Sequence, residues 1–303
     1  MVCKGPPKGA AGLSSPRTSK IPDSAYYNVQ TKTFWPRKPI RPVTPDYLVR
    51  ANLTPKQLDT PRKHLVILDL NGTLFYRSRA ARRNITTRPF LPEFLSFLFN
   101  NFRVMIWSSA TPPSVESMLQ VGLGEYMHQL DRIWTRQDFG LDPVDYNRKV
   151  LTLKDLEIVW RRVGHERAQE LKRLGLSATN ATSNNTKKGT LAEKYDVEFD
   201  QTNTILIDDS YDKSQLQKHN CVVLADFDEA RAKAGSDVEL LKVKGYLRKL
   251  AYQENVSAYM RLHPFTSDTE PAEYPDKQKP AGAPQAPPSS IDELAKALEK
   301  TTL

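Results

Sequence analysis

Asp69, the Ser108-Ser109 pair, Lys154 and the Asp208-Asp209 pair are the side chains whose types, taken together, suit chemistry on a phosphoryl group. A carboxylate can attack phosphorus, and paired acidic oxygens can hold a hard divalent cation. A hydroxyl and a fixed ammonium can steady the transferring oxygens. Each residue also has an ordinary reading: an aspartate closing a core strand, a serine capping a helix, a lysine in solvent, an aspartate at an N-cap. What separates the two readings is where the chain carries these residues.

Three apolar runs carry them. His64-Leu65-Val66-Ile67-Leu68 runs into Asp69, and Asn71-Gly72 supplies the turn that leaves the strand. Arg103-Val104-Met105-Ile106-Trp107 runs into Ser108-Ser109, and Thr204-Ile205-Leu206-Ile207 into Asp208-Asp209. Unbroken apolar runs of this length read as strands buried on both faces, because a half-exposed strand would alternate polar with apolar. Helices follow the first two: Glu93 to Asn101, opened by Pro89 and Pro92, and Pro112 to Met118. Arg132-Ile133-Trp134 reads as a short strand, Leu156 to Leu174 as a helix, Cys221 to Leu224 as a last strand and Asp237 to Arg261 as closing helical sequence. Strand, polar turn and helix in repetition give an α/β fold, a three-layer Rossmann-like parallel sheet with helices on both faces. In such a sheet the carboxyl ends of the strands lie on one edge, where Asp69, Ser108 and Asp208 can converge with Lys154.

The flanks differ in composition. Residues 1–61 read as a disordered or extended arm rich in basic residues and proline, and residues 62–263 as the domain, with a polar insertion at 175–189. Residues 264–289 form a Pro-rich linker, and the capping box Ser290-Ile291-Asp292-Glu293 starts a short amphipathic helix over 290–303, suited to docking on its own domain or on a partner. The run Arg77 to Arg88 reads as a flexible basic loop, one that could attract phosphate beside the strand end, although a solvated face is the commoner meaning of such a run. The chain carries 44 basic against 35 acidic residues, a net charge of +9 that favours an anionic partner. No RNA-recognition signature accompanies that charge, so nucleic acid is not the expected partner. Two cysteines give neither a disulfide framework nor a zinc site, and no apolar run approaches the length of a membrane span.

The motifs Leu68-Asp69-Leu70-Asn71-Gly72-Thr73-Leu74, Arg88-Pro89, Ile106-Trp107-Ser108-Ser109-Ala110, Leu153-Lys154-Asp155-Leu156 and Ile207-Asp208-Asp209-Ser210 resemble, in this order, the haloacid-dehalogenase superfamily. Within it they are similar to the small RNA-polymerase C-terminal-domain phosphatases, the nuclear LIM-interactor-interacting-factor domain. The resemblance covers about Arg62 to Phe227. It implies a phosphatase acting on phosphoserine or phosphothreonine of a protein. Asp69 is then the nucleophile, and Mg2+ is held by Asp69, the backbone carbonyl of Asn71 and the Asp208-Asp209 pair. Ser108, Ser109 and Lys154 contact the phosphoryl group, and Thr73 buttresses the loop.

One position departs from the pattern. The family places a second aspartate two residues after the nucleophile, where it protonates the leaving group and later deprotonates the attacking water. Here the residue is Asn71, whose amide has no acid proton near neutral pH. The resemblance therefore implies an intact magnesium and phosphate pocket with impaired turnover. Its alternative is a catalytically silent peptide-binding relative, a nuclear scaffold or a mitochondrial translocase-like receptor. The expected setting is intracellular, nucleus or cytoplasm, with the mitochondrion as the alternative.

Overall fold

The computed structural model describes residues 27–28, 33–34, 41–78, 84–173, 197–266 and 268–271. The 175–189 insertion, the helix at 290–303 and residues 1–26 of the arm lie outside them. Two short strands, β1 (Tyr27–Asn28) and β2 (Thr33–Phe34), pair antiparallel in the N-terminal arm. The main sheet is built from β3 (Leu65–Leu68), β6 (Arg103–Trp107), β7 (Arg132–Trp134), β8 (Thr204–Asp208) and β9 (Cys221–Val223), with a hairpin of β4 (Phe75–Arg77) and β5 (Ile85–Thr87) beside it. Its strands run parallel in the order β7-β6-β3-β8-β9.

All four residues of β3 and all five of β8 are buried, which is why neither strand alternates in polarity. Successive side chains leave opposite faces of the sheet. Val66, Leu68, Val104, Ile106, Ile205 and Ile207 face one core, against the helices Leu91–Asn101, Pro112–Gly122 and Glu239–Leu250. Leu65, Ile67, Met105, Trp107 and Leu206 face the other, against Val159 and Val163 of the helix Leu156–Arg173. Helices thus cover both faces, as the apolar runs required. Each fully buried aliphatic side chain contributes about 1.5–3 kcal/mol to holding these layers together.

Details differ from the sequence expectation where long-range partners intervene. The helical sequence from Asp237 to Arg261 is two helices, Glu239–Leu250 and Val256–Leu262, separated because Asn255 caps the second through its side chain. Arg77 to Arg88 is not a plain loop, since β4 and β5 near its two ends pair antiparallel. Within 41–61, expected as extended arm, Pro45–Ala51 is helical, with proline at its first turn. This segment is stitched to the domain by Leu58 N–H to Tyr252 O at 2.7 Å and Arg261 Nε to Ala51 O at 2.8 Å.

The sheet order matters for the site. β3 is central, and the chain passes to β6 on one side and β8 on the other, so the crevice at their carboxyl ends is the topological switch point. The register pairs Leu68 with Ile106 and with Ile207. Asp69 therefore emerges level with Asp208, and Ser108 one residue further along the neighbouring strand.

Candidate active site

Asp69 follows β3 directly and is 1% exposed. Its Oδ1 lies 3.0 Å from Lys154 Nζ but accepts no well-angled hydrogen bond. A buried carboxylate oxygen beside a cation and without a bonded proton is poised for nucleophilic attack. Lys154 stands just before the helix Leu156–Arg173, fully buried, and its ammonium also meets Asp208 Oδ2 at 2.5 Å. Its backbone is fixed by an N–H bond to Lys213 O at 2.7 Å.

Asp208 ends β8 and accepts the Ser210 N–H at 2.8 Å. Burial alone would raise its carboxyl, but the ammoniums of Lys154 and Lys213 outweigh burial and hold it well below the usual range. Asp209 behaves oppositely. Burial, with repulsion from Asp208, Asp69 and Asp226, pushes it up to about 7 against the pull of Lys213. One oxygen from each of Asp69, Asp208 and Asp209 lies within 4.8 Å of the others. Three convergent carboxylates, two of them buried, are hard oxygen donors of the kind Mg2+ takes, so the side chains fit the ion that the resemblance implies.

The loop after Asp69 is a tight turn, with Leu74 N–H bonded to Leu70 O at 2.8 Å and Gly72 N–H to Phe75 O at 2.7 Å. Gly72 has φ of +90°, and a Cβ there would stand 2.7 Å from Asp209 Oδ2 and 3.0 Å from Asp226 Oδ1. Only glycine lets the backbone pass this close to the carboxylates. Thr73 is buried, and its hydroxyl donates to Asp209 Oδ1 at 3.4 Å. Arg88 ties the same loop from behind. Fully buried, it forms a two-pronged pair with Asp237 at 2.9 Å and donates to Thr73 O at 2.9 Å and Ala225 O at 2.7 Å.

Ser108 is buried at the end of β6, its amide bonded to Trp134 O at 3.0 Å and its hydroxyl accepting the Ala110 N–H at 3.4 Å. Ser109 is half-buried, and its carbonyl accepts from Arg136 at 3.4 Å. Asn71 is exposed, with Oδ1 accepting the Arg77 N–H at 3.2 Å. The structure therefore brings Asp69, Lys154, Asp208, Asp209 and Thr73 into one cluster and sets Asn71 on its rim. Asp155, beside Lys154 in sequence, is engaged elsewhere by Arg41 (2.7–2.9 Å) and Gln217 (3.1 Å).

Sequence reasoning missed Lys213, on the one-turn helix Tyr211–Ser214, whose ammonium lies among all three carboxylates. Those carboxylates outweigh burial and raise its pKa well above the ordinary lysine value. The available signal was its place four residues after Asp209, one helical turn on. Also missed were Asp237, the partner of Arg88, and Asp226, close to Gly72.

The family of NLI interacting factor-like phosphatases matches residues 64–257, well over half of the chain. The chain belongs to this family. An uncharacterized FCP1 homology domain-containing protein of Schizosaccharomyces pombe is 35% identical over 217 residues, covering 68% of this chain and 79% of its own length. The ubiquitin-like domain-containing CTD phosphatase 1 of Drosophila melanogaster is 26% identical over 206 residues, with 65% of this chain and 52% of the relative covered. The chain spans about half the length of that relative. Among solved structures, that of Fcp1, an essential RNA polymerase II CTD phosphatase, aligns with a TM-score of 0.38 and 13% identity over 61% of each chain. The family match covers the strands and loops that carry Asp69, Ser108, Lys154, Asp208 and Lys213. Among the described residues, no helix is long and apolar enough to cross a membrane.

Proposed function

We propose that the chain is a magnesium-dependent phosphatase domain that acts on phosphoserine or phosphothreonine of a protein through an aspartyl phosphate, with turnover held down by Asn71. The supporting observation is Asp69 itself: a buried carboxylate with Oδ1 free of hydrogen bonds, facing Lys154 at the mouth of a three-carboxylate cage. Mg2+ would be held by Asp69, the Asn71 carbonyl and the Asp208-Asp209 pair. Bound there, it would neutralise charge on the phosphoryl oxygens and orient the group for in-line attack.

In this reading Asp69 Oδ1 forms a bond to phosphorus as the bond to the substrate oxygen breaks. Lys154, already paired with Asp69, carries the charge that develops on the phosphoryl oxygens without reorganisation. Ser108 at the end of β6 supplies a neighbouring hydroxyl, and Thr73 keeps Asp209 in place from the loop. The leaving oxygen needs a proton, and water must later lose one to attack the aspartyl phosphate; Asn71 can do neither. The net charge of +9 favours an anionic substrate, and the CTD phosphatase relatives favour a phosphoprotein.

The test is aryl phosphate hydrolysis with Mg2+ by the wild type and Asp69→Asn, alongside beryllofluoride binding as a mimic of the acyl phosphate. Low but measurable turnover and a stable beryllofluoride complex are expected in the wild type, and neither in Asp69→Asn. Equal residual rates in the two proteins would remove the nucleophile assignment.

A further inference from the structure

The lysine that sequence reasoning missed occupies a particular place in the cage. Lys213 Nζ lies 3.5 Å from Asp69 Oδ2, 3.2 Å from Asp208 Oδ1 and 3.4 Å from Asp209 Oδ1. These are the three side chains whose oxygens converge within 4.8 Å. Lys154 takes the other oxygens, Asp69 Oδ1 and Asp208 Oδ2. The two ammoniums therefore divide the cage: Lys154 on the side of the free nucleophilic oxygen, Lys213 on the side where all three carboxylates meet.

We propose that Lys213 is a resident cation of this cage, competing with the divalent metal, so that metal binds only as the Lys213 ammonium withdraws. The inference rests on the magnesium site proposed above. Lys213 Nζ stands 3.2–3.5 Å from one oxygen of each carboxylate, so it occupies the side of the cage on which the three converge. A divalent ion on the same oxygens would meet the ammonium at close range, and like charges repel strongly in a poorly screened interior. Lys213 is the one able to yield. Its side chain is 13% exposed whereas that of Lys154 is wholly buried, and a lysine ammonium sits on a flexible four-carbon stem. Its backbone stays put, since Lys213 O holds the Lys154 amide at 2.7 Å, so only the side chain has to move. The metal-free protein is thus self-satisfied, and metal binding is weaker than the three carboxylates alone would give.

The experiment uses the full chain. Mg2+ binding is measured by titration calorimetry, and Mn2+ binding by electron paramagnetic resonance of the free ion, in wild type and Lys213→Met. Lys213→Met should bind metal at least tenfold more tightly, and it should melt lower than wild type in chelator while recovering most of the difference in saturating Mg2+. Equal or weaker affinity in Lys213→Met, with metal still bound by the wild type, overturns the proposal and leaves the magnesium reading standing. No binding of either ion by either protein overturns both. A second measurement needs no variant: acylation of Lys213 by an N-hydroxysuccinimide ester, read by mass spectrometry, should be slow in chelator and rise with Mg2+. An unchanged labelling rate in metal-bound wild type overturns the proposal even if Lys213→Met does not fold.

Discussion

If the proposed phosphatase reading holds, Asn71→Asp should raise turnover, and the structure says why the change can be read cleanly. Asn71 is exposed, and its Oδ1 only accepts the Arg77 N–H at 3.2 Å, a bond that an aspartate oxygen can accept equally. The fold should therefore keep its stability to within about 0.5 kcal/mol. General acid–base assistance contributes about a hundred- to ten-thousand-fold, which is about 2.7–5.4 kcal/mol of barrier. That range divides by substrate. An aryl phosphate expels a phenolate that needs little protonation, so only water activation responds and the gain should sit near a hundredfold. A phosphoserine peptide expels an alkoxide, which needs the proton, and the gain should run toward ten-thousand-fold. The assay is steady-state phosphate release from both substrates, with melting temperature and Mg2+ affinity as controls. No gain on either substrate, with both controls unchanged, would refute the reasoning that a missing acid limits turnover. A gain confined to the aryl phosphate would refute the leaving-group half of it.

Two further outcomes follow from buried charge. Arg88→Met leaves Asp237 without its two-pronged partner and frees the Thr73 carbonyl, so chemical denaturation should register a loss of about 3–5 kcal/mol, and Arg88→Met/Asp237→Leu should regain part of it; a loss under 1 kcal/mol would mean that the pair is not buried. His64 is fully buried, its imidazole pushed down to about 4 by burial and the charge of Arg62, against its bond to Leu250 O. Its unfolded value is about 6.5, so between these two pH values the unfolded chain takes a proton that the folded one refuses. Stability from this group is full above pH 6.5 and falls by about 3 kcal/mol as pH drops to about 4. His64→Gln should flatten that part of the stability profile, and an unchanged slope would count against the assignment.

The fold was legible because its strands are buried on both faces: β3, β6 and β8 announce themselves as continuous apolar runs, and their polar ends marked Asp69, Ser108 and Asp208 by position alone. What stayed hidden depended on partners far away in sequence. Arg88 sits at the end of a basic run that reads as solvated, yet it is buried because Asp237, 149 residues on, neutralises it. Asp155 is withdrawn from the site by Arg41, 114 residues before it. Lys213 lay in an unremarkable Ser-Tyr-Asp-Lys stretch, and only the one-turn helix after β8 aims it back at the carboxylates.

Asn71 and Lys213 act on different steps, and this bears on how the site must be assayed. In the readings proposed above, Asn71 would withhold a proton relay from a leaving group, and Lys213 would oppose the entry of a cation into the cage. Repairing one does nothing for the other. At low Mg2+ the Lys213 ammonium would still fill the cage of an Asn71→Asp protein, and its low turnover would wrongly acquit Asn71. Saturating Mg2+ removes that ambiguity, because mass action drives the ammonium out whatever its share of the carboxylates. The gain from Asn71→Asp should therefore grow with Mg2+ concentration and level off, whereas in Asn71→Asp/Lys213→Met it should reach the same plateau at a Mg2+ concentration at least tenfold lower. A gain independent of Mg2+ in both proteins would separate the acid from the metal altogether and leave Lys213 with a purely structural part.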